Sequence, residues 1–176
     1  MKKLLLCSML LFATGCSSEE VSTYQEDLTL SNYIEDDSFR FTFTGKKSSY
    51  VVGEEFDFIG ELLYQGDKKN IEIQYAWSPF YYTLTNEETK VTYLFGTLEP
   101  GNYRVLQVDK PFKQQIERHM SWYVEKDRNY TEGVERIPPG QYTVDGYAGF
   151  DLVSSDSKTP ILLNTTLRIV VNEKEK

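Results

Sequence analysis

Few side chains in this chain are equipped for covalent chemistry. It holds one histidine, His119, and two cysteines, Cys7 and Cys16. A lone histidine makes neither a catalytic dyad or triad nor a histidine zinc site. Carboxylates are plentiful, with Glu54, Glu55 and Asp57 in one group and Asp145 and Asp151 in another. Glycoside hydrolysis needs two carboxylates at a defined separation. Without a nucleophile and base beside them, these groups read instead as solvated faces, Glu55 and Asp57 sharing a strand side opposite Phe56 and Phe58. Asp36, Asp37 and Asp67 read as solvated turns, because the acidic spacing of a calcium loop is absent. No catalytic residue, metal or cofactor is expected.

The one side chain whose setting suggests a reaction is Cys16. Lys2 and Lys3 precede an apolar run over 4–13, interrupted only by Cys7 and Ser8, and the run ends in Ala13, Thr14 and Gly15. Charge, short apolar stretch and small-residue exit form the layout of a secretory signal. The run is too short for a bilayer span, which needs roughly 20 residues. A thiolate is the best nucleophile a chain offers for S-alkylation. The Ala-Thr-Gly-Cys sequence at 13–16 resembles the lipobox of bacterial lipoproteins. That resemblance implies a diacylglyceryl group on the Cys16 thiol, cleavage just before it, and fatty chains such as palmitate in the membrane. Two acyl chains anchor stably where one is marginal, since each buried methylene contributes about 0.8 kcal/mol. The expected address is a lipid bilayer, on the side facing away from the cytoplasm. Ser17 permits outer-membrane sorting in a cell with two membranes.

Loss of residues 1–15 takes Lys2, Lys3 and Cys7 with it, moving the formal charge from −8 to −10 and leaving no cysteine pair. An exported domain without disulfides must stand on its own core. The acidic surface argues against nucleic acid as a partner and against adhesion to anionic lipid. Aromatic residues make up 14% of the chain, mostly tyrosine and phenylalanine, which suits a β-rich core and not a disordered chain.

The elements that must position these residues read as strands. Residues 16–37 are polar and acidic with little periodicity, which predicts a lipidated flexible tether on which Leu28, Leu30, Tyr33 and Ile34 dock at most loosely. From Phe39 the pattern turns to period two: Phe39, Phe41 and Phe43, then Phe56 to Tyr64, then Ile71, Ile73, Tyr75 and Trp77. Shorter alternating sets follow at Phe80–Leu84, Val91–Phe95, Tyr103–Val105 and Met120–Val124, and longer ones at Tyr142–Leu152 and Leu167–Val171. The stretch from Pro111 to Arg118 reads equally as one or two helical turns, and Gly133 sits in a polar loop. Many short strands separated by turn residues predict an all-β fold, a single immunoglobulin-like antiparallel β-sandwich with Greek-key connections over 38–172.

One motif occurs twice. Leu98-Glu99-Pro100-Gly101-Asn102-Tyr103 and Ile137-Pro138-Pro139-Gly140-Gln141-Tyr142 share the form aliphatic, x, Pro, Gly, x, Tyr. Each predicts a tyrosine corner, in which the hydroxyl of Tyr103 or Tyr142 bonds back to upstream backbone and pins a crossing between sheets. The order of a Pro turn at Pro111, a tryptophan strand "MSWYV" (120–124), a loop with Gly133 and then "IPPGQYTVDGYAGF" (137–150) resembles the BsuPI-like domain of bacterial intracellular proteinase inhibitors and related lipoproteins. The stretch "YVVGEEFDFIGELLYQG" (50–66) fits that family's opening strands, so the likeness covers most of 39–150. The family pattern has Pro-Gly before its tryptophan strand, whereas Pro111 is followed here by Phe112. The resemblance implies a sandwich fold and, by the family's name, protease inhibition; no inhibitory motif maps onto these residues.

The segment "YAWSPFYYTLT" gathers Tyr75, Trp77, Phe80, Tyr81 and Tyr82 around Pro79. In a sandwich, alternate members enter the core and the others face out, where exposed aromatics anchor a protein or stack on a sugar. The expected function is a membrane-anchored, non-catalytic binding module. A protein is the first partner to expect, and cell-wall glycan held by exposed tyrosine and tryptophan is the alternative.

Overall fold

The computed structural model describes residues 29–94, 101–116, 122–126, 129–134, 136–153 and 157–174. Cys16 and His119 lie outside these residues, as do residues 1–15, the expected leader. The described chain contains thirteen strands and no helix. They are β1 (Leu30–Glu35), β2 (Phe39–Gly45), β3 (Ser49–Val51), β4 (Phe58–Tyr64), β5 (Asn70–Tyr75), β6 (Phe80–Asn86) and β7 (Thr92–Leu94). Then follow β8 (Asn102–Gln107), β9 (Phe112–Gln115), β10 (Trp122–Lys126), β11 (Asn129–Val134), β12 (Gly140–Val153) and β13 (Lys158–Asn172).

These strands form a β-sandwich. One sheet has the order β1-β2-β4-β9. The other runs β11-β10-β7-β6-β12-β13-β3, with β5 added to β12 and β8 added to β5. Every pairing is antiparallel except that of β3, which joins β13 in parallel over Val170–Asn172.

Period-two patterning sends one face of each central strand inward. Phe39, Phe41 and Phe43 of β2 and Phe58, Leu62 and Tyr64 of β4 meet Phe80, Tyr82 and Leu84 of β6 in one core. The rings interlock across the layers: Phe41 stacks on Phe80 with centroids 5.8 Å apart, and Phe58 meets Tyr82 edge-on at 4.7 Å. Two glycines let the sheets approach. A Cβ on Gly60 would fall 2.4 Å from the Phe80 ring, and one on Gly146 would fall 2.4 Å from the Phe43 ring. Each sheet thus seats a phenylalanine over a bare backbone position of the other, the close approach that an interior strand glycine often marks.

Four features depart from the sequence reading. Leu30–Glu35, expected within the tether, instead forms β1 on the edge of the first sheet, paired in register with β2. Five of its six side chains are exposed, which is why no burial pattern marks it in the sequence. Residues 129–134, expected as a loop, form β11 against β10. Phe112–Gln115 is strand β9, not a helical turn, since it completes the first sheet beside β4. In β8 the faces are reversed: Leu106 is buried, while Tyr103 and Val105 face out.

Candidate functional site

The two tyrosine motifs end in different places. In the second, Tyr142 is fully buried and its hydroxyl donates to the Pro138 carbonyl at 2.8 Å. Its ring meets Tyr93 edge-on at 6.1 Å, and Ile137 is buried beside the same core. Gly140 between them has φ 151°, and a Cβ there would lie 2.7 Å from the Asn86 amide nitrogen. Asn86 is itself buried and accepts from the Glu88 and Thr89 amides, closing the β6–β7 turn. Tyr103, expected to be the equivalent pin, is 55% exposed. It stands on the outward face of β8, a strand paired with β5 alone among the described residues. Leu98 to Pro100 of that motif lie outside the described residues.

The aromatic segment divides as a β-strand must. Phe80 and Tyr82 are core residues, each only 1% exposed, so the structure removes both from the expected binding set. They occupy the inward positions of β6. Tyr75 and Tyr81 are half-buried, and Trp77 is 58% exposed in the connection between β5 and β6. Tyr75 packs its ring 6.4 Å from Phe112. Tyr81 stacks on Tyr147, with centroids 4.9 Å apart and planes 10° from parallel. Burial pushes both hydroxyls above the ordinary tyrosine value, and each is also raised by a neighbour, Tyr147 for Tyr81 and Asp145 for Tyr147. These phenols therefore stay neutral near pH 7.

A long central strand creates the relief of this face. β12 pairs with β6 over Tyr142–Ala148 and with β5 over Asp151–Val153. At the changeover the Gly149 amide donates to the Pro79 carbonyl at 2.8 Å. A groove of about 460 Å³ opens there, lined among others by Gln74, Ala76, Gly101, Asp151, Lys158 and Pro160. Register places Gln74, Asp151 and Pro160 side by side on three strands. The Lys158 ammonium donates to the Gln74 side-chain oxygen.

Beside the groove stands an exposed apolar ridge. Asn102 donates from its side chain to the Ala76 carbonyl at 2.8 Å and the Trp77 carbonyl at 3.4 Å, which ties the Trp77 turn to the start of β8. Tyr103 and Val105 follow on the outer face of β8, Val105 being 56% exposed. The Val108 amide donates to the Lys69 carbonyl, so even-numbered residues of the ribbon bond to β5. The main-chain groups of Tyr103 and Val105 accordingly point away from β5. The alternation of the sequence suggested the reverse orientation for Tyr103 and Val105. The signal that marks the ridge is Arg104, whose guanidinium caps the Phe112 ring at 3.8 Å and fixes the inward side of β8.

Three of the carboxylates that resembled acid pairs, Glu54, Asp57 and Asp145, have structural partners. Glu54 accepts from Lys47 and from the Val51 amide. Burial works to raise its pKa, but the Lys47 and Val51 hydrogen bonds outweigh it and hold the carboxyl below its ordinary value. Asp57 lies 3.6 Å from Lys46, and Asp145 accepts from the Thr166 hydroxyl at 2.7 Å. Among the described residues no group of three or more His, Cys, Asp or Glu side chains is placed to hold a metal ion. No protein-family model matches this chain, and no curated protein shows significant similarity to it.

Proposed function

We propose that this chain is a lipoprotein anchored through Cys16, facing away from the cytoplasm, and that its sandwich is a non-catalytic binding module for a protein partner. One observation carries the partner: exposed Tyr103 and Val105 of β8, with exposed Trp77 in the turn tied to that strand's start by Asn102, accompany outward main-chain groups of β8 that are unpaired among the described residues. Large aromatics are the side chains that most often anchor protein interfaces, and an open strand edge offers main-chain hydrogen bonds to a polypeptide. A polypeptide answers both features together. Protease inhibition is one form such binding takes, in keeping with the BsuPI-like resemblance. We attach to the sandwich an immunoglobulin-like Greek-key description, supported by the Tyr142–Pro138 hydrogen bond. The anchor is supported by the Ala-Thr-Gly-Cys sequence and by the interval to β1: residues 16–30 reach at most about 50 Å when extended.

Crosslinking of the full chain in intact cells, followed by purification, tests the partner. One protein should be enriched by the wild type and lost from the Trp77→Ala/Tyr103→Ala double variant. Equal recovery by both, or no enriched protein, rejects the reading. Cys16→Ser should release the chain from the membrane fraction and abolish acyl labelling; continued membrane retention rejects the anchor.

A further inference from the structure

We propose that the groove beside Gly149 is a saccharide-binding site that takes a neutral sugar ring. This goes beyond the protein-partner reading and does not rest on it, because Trp77, Tyr103 and Val105 are not among the residues that line the groove. The site arises from strand topology. β12 exchanges β6 for β5 between Ala148 and Asp151, and the departing chain at Ala76–Pro79 leaves the sheet open at that point. Gly149 lines the groove where a side chain would not fit beside the Tyr81 ring. A Cβ there would lie 3.2 Å from Tyr81 Cε1 and 3.7 Å from Leu162 Cδ1, so the tyrosine ring and an exposed leucine bound one side of it.

The lining selects the ligand class. Asp151 contributes a carboxylate acceptor and Lys158 an ammonium donor. The Gln74 oxygen is engaged by Lys158, which leaves the Gln74 amide nitrogen as a donor toward the groove. Acceptor and donors thus stand side by side, with the apolar surface of Pro160 on the far side of Asp151 and that of Ala76 also lining the groove. A sugar hydroxyl both donates and accepts, so one ring can bond to the carboxylate and the amide together while its C–H face lies on Pro160 and Ala76. An anionic ligand would meet Asp151 within a chain of net negative charge. A purely apolar ligand would leave the Asp151 carboxylate and the Gln74 amide nitrogen unused. The volume of about 460 Å³ falls within the range of small-ligand clefts.

The test titrates the full, detergent-solubilised chain with chitotetraose, cellotetraose and maltotetraose, and separately with a neutral tetrapeptide, followed by two-dimensional NMR. At least one oligosaccharide should bind and shift the Gly149 and Asp151 amide signals. Gly149→Leu should fill the groove and weaken that binding at least tenfold. Asp151→Asn, which preserves shape, should weaken it several-fold even if Gly149→Leu perturbs folding. Glu88→Gln, on the β6–β7 turn, should leave it unchanged. Failure of all three sugars, shifts produced by the peptide alone, or undiminished sugar binding by Asp151→Asn overturns the proposal.

Discussion

Two stretches of the same form, ending in Tyr103 and Tyr142, are folded into opposite environments. Tyr142 lies at the start of β12, which has β6 on one side and β13 on the other, and its ring is buried against Tyr93. Tyr103 lies at the start of β8, which has only β5 beside it, and its ring stands in solvent. The shared residues specify a turn and a following strand in both places. What differs is the face each tyrosine takes, inward on β12 and outward on β8, and that is decided by distant parts of the chain. A corner tyrosine pins the fold only where a second layer waits to receive it.

The comparison can be broken by substitution. The largest effect is expected from Tyr142→Ala, which empties a fully buried site and should cost about 3–5 kcal/mol in urea unfolding. A loss below 1 kcal/mol would show that the Tyr142 corner is dispensable. Gly146→Ala on the same strand should cost about 1–3 kcal/mol by thermal unfolding, because the new methyl meets the Phe43 ring. Tyr142→Phe keeps the ring and removes the hydroxyl with its bond to Pro138, for about 1 kcal/mol.

Alkaline unfolding sharpens the contrast further. Burial raises the Tyr142 hydroxyl above its ordinary value of 10.0, so the folded state holds that proton more tightly than the unfolded chain does. Its contribution is complete below pH 10 and declines as the pH rises through the folded value. Tyr142→Phe should therefore lose less stability than the wild type between pH 9 and pH 11. Tyr103→Ala should be the smallest perturbation, within about 0.5 kcal/mol. A larger cost would mean that its ring is packed, and the ridge would lose its exposed aromatic.

Strands with one buried face were legible from the chain itself. The Phe39-Phe41-Phe43 and Tyr142-to-Phe150 alternations mark their inward sides because the core takes every second residue. β1 and β11 were not legible: the side chains of β1 are mostly exposed, and the sequence of β11, Asn-Tyr-Thr-Glu-Gly-Val, carries no apolar alternation. β8 misled because its exposed side holds Tyr103 and Val105, whereas Arg104 on the inward side covers Phe112. The site follows the same logic. The segment around Pro79 drew attention for its rings, yet Phe80 and Tyr82 serve the core and only Trp77, Tyr75 and Tyr81 border the surface features. The two glycines of "TVDGYAGF" carried a further signal. Three residues apart on a strand, Gly146 and Gly149 face opposite sides, one admitting Phe43 and the other lying under Tyr81. Which side each served depended on the changeover from β6 to β5, a long-range pairing that no local pattern encodes.

β1 also has a mechanical meaning. If the chain is held at residue 16, any pull on the domain reaches Leu30 first, and the rungs from Leu30–Gly45 toward Glu35–Arg40 bear the load in turn. Because β1 contributes almost nothing to the core, it can detach once its rungs to β2, the Arg40–Glu35 ion pair and the Asn32 link to the Thr166 carbonyl give way. Six residues would then lengthen the leash by about 20 Å while the Phe-rich interior stayed closed. Such a strand acts as slack held in reserve, yielding before the structure it protects.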